Sequence, residues 1–118
     1  MRDKLFIEGL EARCVIGIFD WERKVRQKVL IDLEIPFDNR ITARRDRIEN
    51  ALDYKRLAQR VRRFVSESRF FLIETLAEKT ASMILREFPV RRLRLRLSKP
   101  GALRHSRNVG VEITRAKK

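Results

Sequence analysis

The sequence predicts an α+β fold in which two helices cover one face of an antiparallel sheet. Two pairs of segments alternate apolar with polar residues, which is typical of half-buried strands. Between these pairs lie two segments whose apolar residues recur at helical spacing. The predicted order is β-β-α-α-β-β, and the 118 residues are expected to form a single domain, residues 1–118, around one core.

The first pair of strands lies in the N-terminal third of the sequence. One strand is predicted over about residues 5–16, and Gly9 within it indicates a bulge. The other strand, KVLIDLEIPF, turns Asp32 and Glu34 towards one face of the sheet. Its opposite face carries apolar side chains, at Val29, Ile31, Leu33 and Ile35.

Two helices are predicted between the strand pairs. Asp53 fits the N-cap of the first helix, whose apolar stripe runs from Tyr54 to Val65. The second helix is predicted over about residues 73–88, because its apolar stripe ends there and Pro89 cannot continue a helix.

The segments RRLRLRLSK and NVGVEITR predict the last pair of strands. Their apolar residues share the face that the helices cover, while their charged residues point away from it. We call that charged side of the sheet the outer face; it carries Asp32, Glu34, Arg92, Arg94, Arg96 and Glu112. Opposite charges on neighbouring strands suit cross-strand pairing.

The net charge of +13 raises the hypothesis of a nucleic-acid-binding module, because basic patches release counterions from phosphate backbones. A single-strand binding platform would interleave basic residues with exposed aromatic ones. The outer face mixes both signs instead, which favours a solvated surface or the wall of a polar channel. We therefore rank nucleic-acid binding low.

Composition also bears on cofactors and on location. Cys14 and His105 are the only cysteine and histidine, and they cannot supply a typical zinc site, so no metal or other cofactor is expected. No apolar run approaches the ~20 residues of a membrane span. The N-terminus lacks the apolar region of a signal peptide, so we expect a cytoplasmic protein without membrane contact.

The segment RFFLIETLAEK places one carboxylate, that of Glu74, within an apolar run. Glu74 falls in the first turn of the second helix, where free N–H groups and the positive helix end stabilise a negative charge. It could remain ionised while facing an apolar site. From spacing alone, an ordinary first-turn glutamate is the favoured interpretation.

Lys99, Glu22 and Tyr54 lie near the ends of predicted elements. If its strand persists, Lys99 points to the helix-covered face, where a desolvated amine can act as a base; if the strand ends at Ser98, it reaches solvent. Glu22 in the loop IGIFDWER could be a surface charge, and Tyr54 could be a core residue. Together they offer carboxylate, amine and phenol groups where sites tend to occur.

Five motifs resemble those of the dihydroneopterin aldolase family of folate biosynthesis. They are IGIFDWER followed by Gln27, then ALDY, RFFLIETLAE, LSKPGAL and VGVEITR, in the family's order and spacing over nearly the whole chain. Ser106 and Arg107 depart from the pattern, since small residues are common there. The resemblance implies the tunnelling fold, a homo-octamer of two stacked tetrameric rings in which sheets join into a barrel and active sites lie between subunits.

The resemblance also implies roles for individual residues. Glu74 resembles the pterin anchor, which accepts hydrogen bonds from the ring N3–H and the 2-amino group, while Ile73 lends backbone contacts. Tyr54 of ALDY resembles a residue that reaches the pocket from the adjacent subunit, and Leu52 lines it.

At the reacting end of the substrate, Glu22 resembles the residue that holds the hydroxyl groups of the trihydroxypropyl tail. Lys99 of SKPGA resembles the catalytic lysine. The implied reaction cleaves 7,8-dihydroneopterin into 6-hydroxymethyl-7,8-dihydropterin and glycolaldehyde, with C2′ epimerisation as a side activity. The N5–C6 double bond of the substrate can take up the electrons, so neither a metal nor a Schiff base is expected.

A sister enzyme that epimerises dihydroneopterin triphosphate shares most of these motifs. The charge of +13 would suit a triphosphate substrate. The combination of DWER with KPGA resembles the aldolase more closely. The sequence thus favours the aldolase, with the triphosphate 2′-epimerase as the alternative and a nucleic-acid-binding module as the third hypothesis.

Overall fold

The computed structural model describes residues 3–48 and 52–118. Within them, four antiparallel strands form one sheet in the order β1-β2-β3-β4: β1 Lys4–Cys14, β2 Gln27–Pro36, β3 Arg92–Ser98 and β4 Gly110–Ala116. The helices are α1 Asn39–Arg45, α2 Tyr54–Glu67 and α3 Ile73–Glu87, and a short 3₁₀ helix spans Asp20–Lys24. The predicted β-β-α-α-β-β layout is confirmed, with α1 and the 3₁₀ helix as additional short elements.

The predicted bulge in β1 is present. The pairing of β1 with β2 changes register between Ile7 and Leu10. Gly9 lies in this interval with a φ of +67°, a conformation that suits a residue without a Cβ. Its amide donates a hydrogen bond of 2.6 Å to Oδ1 of Asp32, so a side chain of the neighbouring strand takes up the amide at the bulge.

The core lies between the sheet and the two longer helices. Helix α2 packs on β1, and α3 packs on β3 and β4. Burying one valine, leucine or isoleucine side chain stabilises the folded state by about 1.5–3 kcal/mol relative to leaving it exposed. The fully or almost fully buried residues include Val29, Ile31, Leu33 and Ile35 of β2, Leu93, Leu95 and Leu97 of β3, Leu57, Val61 and Val65 of α2, and Leu76, Ala77 and Ile84 of α3.

The helix ends follow the predicted signals. Oδ1 of Asp53 accepts hydrogen bonds from the amides of Lys55 and Arg56, which confirms the N-cap of α2. Helix α3 ends at Glu87 with Phe88 as its C-cap, one residue before the predicted end. In the described part of the chain, no helix is both long and apolar enough to cross a membrane.

The outer face pairs charges across the strands as predicted. Asp32 lies opposite Arg96, Glu34 opposite Arg94, and Arg96 also opposite Glu112. The closest nitrogen–oxygen distances among these pairs are 3.7–4.0 Å. These side chains are all substantially exposed, so each pair contributes only about 0–1 kcal/mol to stability.

Candidate active site

Lys99 begins a tight turn directly after β3. Pro100 and Gly101 occupy its central positions, Gly101 has a φ of +82°, and the amide of Ala102 donates to the Lys99 carbonyl at 3.2 Å. These are the features of a type II turn. The strand therefore ends at Ser98, yet the Lys99 side chain is only 12% exposed and turns inward. The expectation that a lysine beyond the strand end would reach solvent is wrong.

The partner of Lys99 is Glu22, in the 3₁₀ helix of the β1–β2 loop. Nζ of Lys99 donates to Oε2 of Glu22 at 2.6 Å. The same oxygen accepts from Nε2 of Gln27 at 3.2 Å, and Oε1 accepts from the amide of Phe19 at 3.2 Å. Glu22 is buried, so the interpretation as a surface loop charge is wrong. Three donors satisfy a carboxylate that would otherwise be costly to bury.

The charge state of Glu22 follows from these contacts. Burial raises its pKa, because a carboxylate loses water there. The hydrogen bonds from Lys99, Gln27 and the Phe19 amide outweigh that effect, so the pKa of Glu22 lies below its ordinary value. Glu22 is therefore ionised at neutral pH.

Gly17 provides the space that the Glu22 carboxylate occupies. Its φ of +128° favours glycine, and a Cβ built on it would lie 2.1 Å from Cδ of Glu22. Any side chain at position 17 would thus displace the carboxylate or move the loop. The glycine is required by the buried ion pair as well as by the turn.

Glu74 lies in the first turn of α3, as predicted. Its side chain is exposed, and its carboxylate has no hydrogen bond or ion pair within residues 3–48 and 52–118. The N-cap residue, Leu72, offers no side-chain acceptor to the first turn. Glu74 thus lies at the N-terminal end of α3, and its carboxylate oxygens are available to a ligand.

One cavity of about 430 Å³ brings these groups together. It lies between the β1–β2 loop, the residues before α3 and the turn at residues 99–102. Glu22, Gln27, Glu74 and Lys99 line it, together with apolar side chains that include Phe71 and Leu72. Such a cavity, largely apolar with a few polar groups, is of the size that holds a small molecule. Within the described ranges, His, Cys, Asp and Glu side chains form no group of three or more that could hold a metal ion.

Comparison with known proteins gives the family. The family model for dihydroneopterin aldolase (FolB) matches residues 5–114. The chain belongs to this family. The dihydroneopterin aldolase of Escherichia coli K12 is 41% identical over 96% of this chain and 93% of the relative. A dihydroneopterin triphosphate 2′-epimerase from Pseudomonas aeruginosa is 29% identical over 93% of this chain and 89% of that relative.

Solved structures of the dihydroneopterin aldolase family share this fold. The FolB structure from Vibrio cholerae superposes with a TM-score of 0.95, is 44% identical and covers 99% of both chains. The E. coli dihydroneopterin aldolase in complex with neopterin has a TM-score of 0.92 and 40% identity over 97% of this chain and 99% of that chain. These likenesses extend across all the elements that build the cavity.

Two residues that the family resemblance assigns to the site lie outside this cavity in the single chain. Tyr54, the first residue of α2, is 64% exposed, while Leu52 is buried in the core. Ala51, the first residue of the ALDY motif, lies outside the described residues. The cavity does combine the other four predicted residues: Glu22, Ile73, Glu74 and Lys99.

Gln27 is a site residue whose role sequence reasoning missed. Its Nε2 donates to the Ile16 carbonyl at 2.7 Å and to Glu22, so it links the loop to the start of β2. A signal was present, because position 27 shares the inward face of β2 with Val29. An amide at the first inward position of an otherwise apolar strand indicates a buried polar partner.

Proposed function

We propose that this chain catalyses the retro-aldol cleavage of 7,8-dihydroneopterin. The bond between C1′ and C2′ breaks, and the products are 6-hydroxymethyl-7,8-dihydropterin and glycolaldehyde. Family membership supports this assignment. The observation that carries it is the buried Lys99–Glu22 pair, which faces the same cavity as the unpaired carboxylate of Glu74.

Glu74 anchors the pterin ring in this proposal. The ring presents two neighbouring donors, N3–H and the 2-amino group, and a carboxylate with both oxygens available can accept from both. Ile73 adds backbone contacts, and Phe71 and Leu72 supply apolar wall for a flat heterocycle. The E. coli relative was crystallised with neopterin, whose ring has the same donor edge.

Lys99 and Glu22 act on the tail of the substrate. Glu22 accepts hydrogen bonds from the tail hydroxyl groups in place of the Lys99 ammonium, which then gives up its extra proton to solvent. The neutral Lys99 amine removes the proton of the 2′-hydroxyl through a water molecule. That oxygen becomes the aldehyde of glycolaldehyde as the C1′–C2′ electron pair moves into the N5–C6 double bond. The resulting enamine is then protonated at C1′, with Tyr54 of a neighbouring subunit and a water molecule assisting.

The proposed mechanism uses no metal and no covalent bond to the protein. An aldolase needs an acceptor for the electron pair of the breaking bond, and the conjugated N5–C6 double bond already provides one. The protein must therefore only hold the substrate and move protons. Addition of the aldehyde back to the enamine in the opposite orientation would give C2′ epimerisation as a side activity.

We further propose a homo-octamer of two tetrameric rings with sites shared between subunits. The exposed position of Tyr54 supports this, since it lies outside the cavity of its own chain. Strands β1 and β4 form the two sheet edges, and joining such edges between copies would pair their backbone groups. Sedimentation velocity tests the oligomeric state: an active monomer would overturn the shared site.

The cytoplasmic location expected from the sequence stays a prediction.

Product analysis is the decisive test of the function. The purified protein is incubated with 7,8-dihydroneopterin and, separately, with its triphosphate. We expect 6-hydroxymethyl-7,8-dihydropterin and glycolaldehyde from the first substrate. The charge of +13 keeps the triphosphate 2′-epimerase as the second candidate. Epimerised triphosphate, with no glycolaldehyde from either substrate, would overturn the aldolase assignment in its favour.

A further inference from the structure

Arg23 connects two segments that are far apart in the sequence. Its Nη1 donates to the carbonyls of Gly17 at 2.9 Å and Phe70 at 3.0 Å, and its Nη2 donates to the carbonyl of Arg69. The guanidinium also lies over the ring of Phe71, with Cζ 4.1 Å from the ring centroid. Arg23 does not line the cavity itself.

Each of the two segments carries one half of the candidate site. The β1–β2 loop contains Gly17 and Glu22, and Glu22 holds Lys99. The other segment, residues 69–72, leads directly into α3 and hence to Glu74. No other side chain in the described ranges forms a hydrogen bond between residues 15–25 and residues 69–74. Arg23 is thus the polar link between the two halves.

We propose that Arg23 is a positioning residue that sets the separation of Glu74 from the Lys99–Glu22 pair. This inference rests on the proposed function, in which the ring binds at Glu74 and the tail at Glu22 and Lys99. A substrate that spans both segments reacts only when their spacing matches its length. A displacement of about 1 Å in such an arrangement can cost 10²-fold in rate.

The geometry at this position requires arginine rather than positive charge alone. A planar guanidinium presents several N–H donors in a fixed fork and can stack on an aromatic ring at the same time. Arg23 uses both properties, because it reaches three carbonyl oxygens while lying on Phe71. A lysine would keep the charge but could not reproduce this set of contacts.

Arg26 provides a matched control. Its Nη2 donates to the carbonyls of Arg13 at 2.9 Å and Ser66 at 2.7 Å, so it also joins the β1–β2 region to a helix by backbone acceptors. These contacts lie away from the cavity, which neither Arg13, Arg26 nor Ser66 lines. Arg26→Ala therefore removes a comparable surface link without changing the spacing between the two halves of the site.

The first experiment compares binding of neopterin with binding of pterin, which has the ring but no tail. Dissociation constants are measured for the wild type, Arg23→Ala, Arg23→Lys and Arg26→Ala, with thermal unfolding as a check of folding. We expect both Arg23 variants to bind pterin within about threefold of the wild type and to lose most of the extra affinity for neopterin. Arg26→Ala should keep that extra affinity. If the Arg23 variants lose equal affinity for neopterin and pterin, or lose affinity for neither, the positioning role is overturned.

The second experiment measures kcat and KM for 7,8-dihydroneopterin. The Arg23 variants should lower kcat by about 10- to 100-fold, whereas Arg26→Ala should stay within about twofold of the wild type. An unchanged kcat in Arg23→Lys would overturn the requirement for the guanidinium fork. If the wild type itself does not cleave the substrate, the proposed function fails, while the binding comparison still decides the role of Arg23.

Discussion

Opposite charges meet in two regions of this molecule, with different results. On the outer face, Arg94 and Arg96 lie 3.7–4.0 Å from their acidic partners, and these side chains remain in contact with water. In the cavity, Lys99 and Glu22 lie 2.6 Å apart and are 12% and 7% exposed. Water screens the first set, which contributes about 0–1 kcal/mol per pair. Removing one partner of a buried pair leaves an uncompensated charge, at a cost of about 3–5 kcal/mol.

The comparison teaches that location, and not the presence of opposite charges, distinguishes the candidate site. The outer face stabilises the sheet weakly and tolerates change. The buried pair needs a glycine at position 17, an amide at position 27 and the turn after β3 to exist at all. Substitutions in the two regions should therefore differ in both activity and stability.

The largest expected effect is that of Lys99→Ala. It should lower kcat by about 10²–10⁴-fold, because it removes a positioned proton carrier. It should also lower the free energy of unfolding by about 3–5 kcal/mol, because Glu22 stays buried without its ammonium partner. Single-turnover kinetics and chemical denaturation measure these effects. Arg96→Ala on the outer face is the control and should change stability by less than about 1 kcal/mol.

The same lysine separates the two possible kinds of mechanism. Wild-type protein is treated with 7,8-dihydroneopterin and borohydride, and the intact chain is weighed. We expect no added mass. A stable substrate-derived addition at Lys99 would contradict the proposed non-covalent mechanism, as would a Lys99→Ala variant with an unchanged chemical rate.

Glu74→Ala should weaken binding of substrate and product alike. Both molecules carry the same pair of donors, and losing a charged acceptor should cost roughly 1.5–3 kcal/mol of binding free energy. Calorimetry with the product measures this loss. Glu78→Ala is the matched control, since Glu78 lies one turn further along α3 and pairs with Arg115 instead. Equal product affinity in the wild type and in Glu74→Ala would contradict the proposal that Glu74 anchors the pterin ring.

Gly17→Ala should destabilise the protein more than Gly9→Ala does. Both glycines have positive φ angles, and a left-handed conformation costs a residue with a Cβ about 1–2 kcal/mol. Only at Gly17 would the Cβ also overlap the Glu22 carboxylate, whereas nothing lies within 4 Å of a Cβ at Gly9. Thermal unfolding should therefore rank the two variants in this order, and only Gly17→Ala should lose activity. The reverse ranking would contradict the placement of Glu22.

The smallest expected effect is the pH dependence of stability that Glu22 contributes. Burial raises the pKa of Glu22, but the hydrogen bonds to its carboxylate lower the pKa by more than burial raises it. The folded-state pKa of Glu22 therefore lies below its unfolded-state pKa. The stabilisation is therefore fully present above the unfolded pKa and is lost as the pH falls through the folded pKa. Denaturation of the wild type and Glu22→Gln across the acid range measures it. Their difference in stability should shrink with falling pH, and a difference that grows would reverse the assigned direction.

The sheet and the longer helices could be predicted because their signals are local. Alternation in β2 and β3 and the stripe after Asp53 each depend on neighbouring residues. Helix α1 was missed because NRITARR is mostly polar and offers no apolar stripe. The sequence did contain one signal for this helix, an aspartate at the N-cap position, Asp38. In the structure, Asp38 accepts a hydrogen bond from the Arg40 amide at 3.1 Å.

The surroundings of the candidate site could be predicted only in part. The family motifs gave Glu22, Glu74 and Lys99, and the structure places these three around one cavity. Nothing local shows that Glu22 is buried, because its burial depends on contacts with Lys99 and Gln27. The link through Arg23 was missed for the same reason, since its acceptors at Arg69 and Phe70 are backbone atoms that carry no sequence signature.

The distance along the chain between Glu22 and Lys99 has a consequence for the order of folding. The two residues are 77 positions apart, with both longer helices between them. A contact between distant positions closes a long loop, which costs conformational entropy. Such contacts therefore slow folding. During synthesis, Glu22 leaves the ribosome long before its partner exists, so its carboxylate stays hydrated until the end of β3 arrives. We expect a refolding chain to recover its helical circular dichroism before its ability to bind a ligand tail.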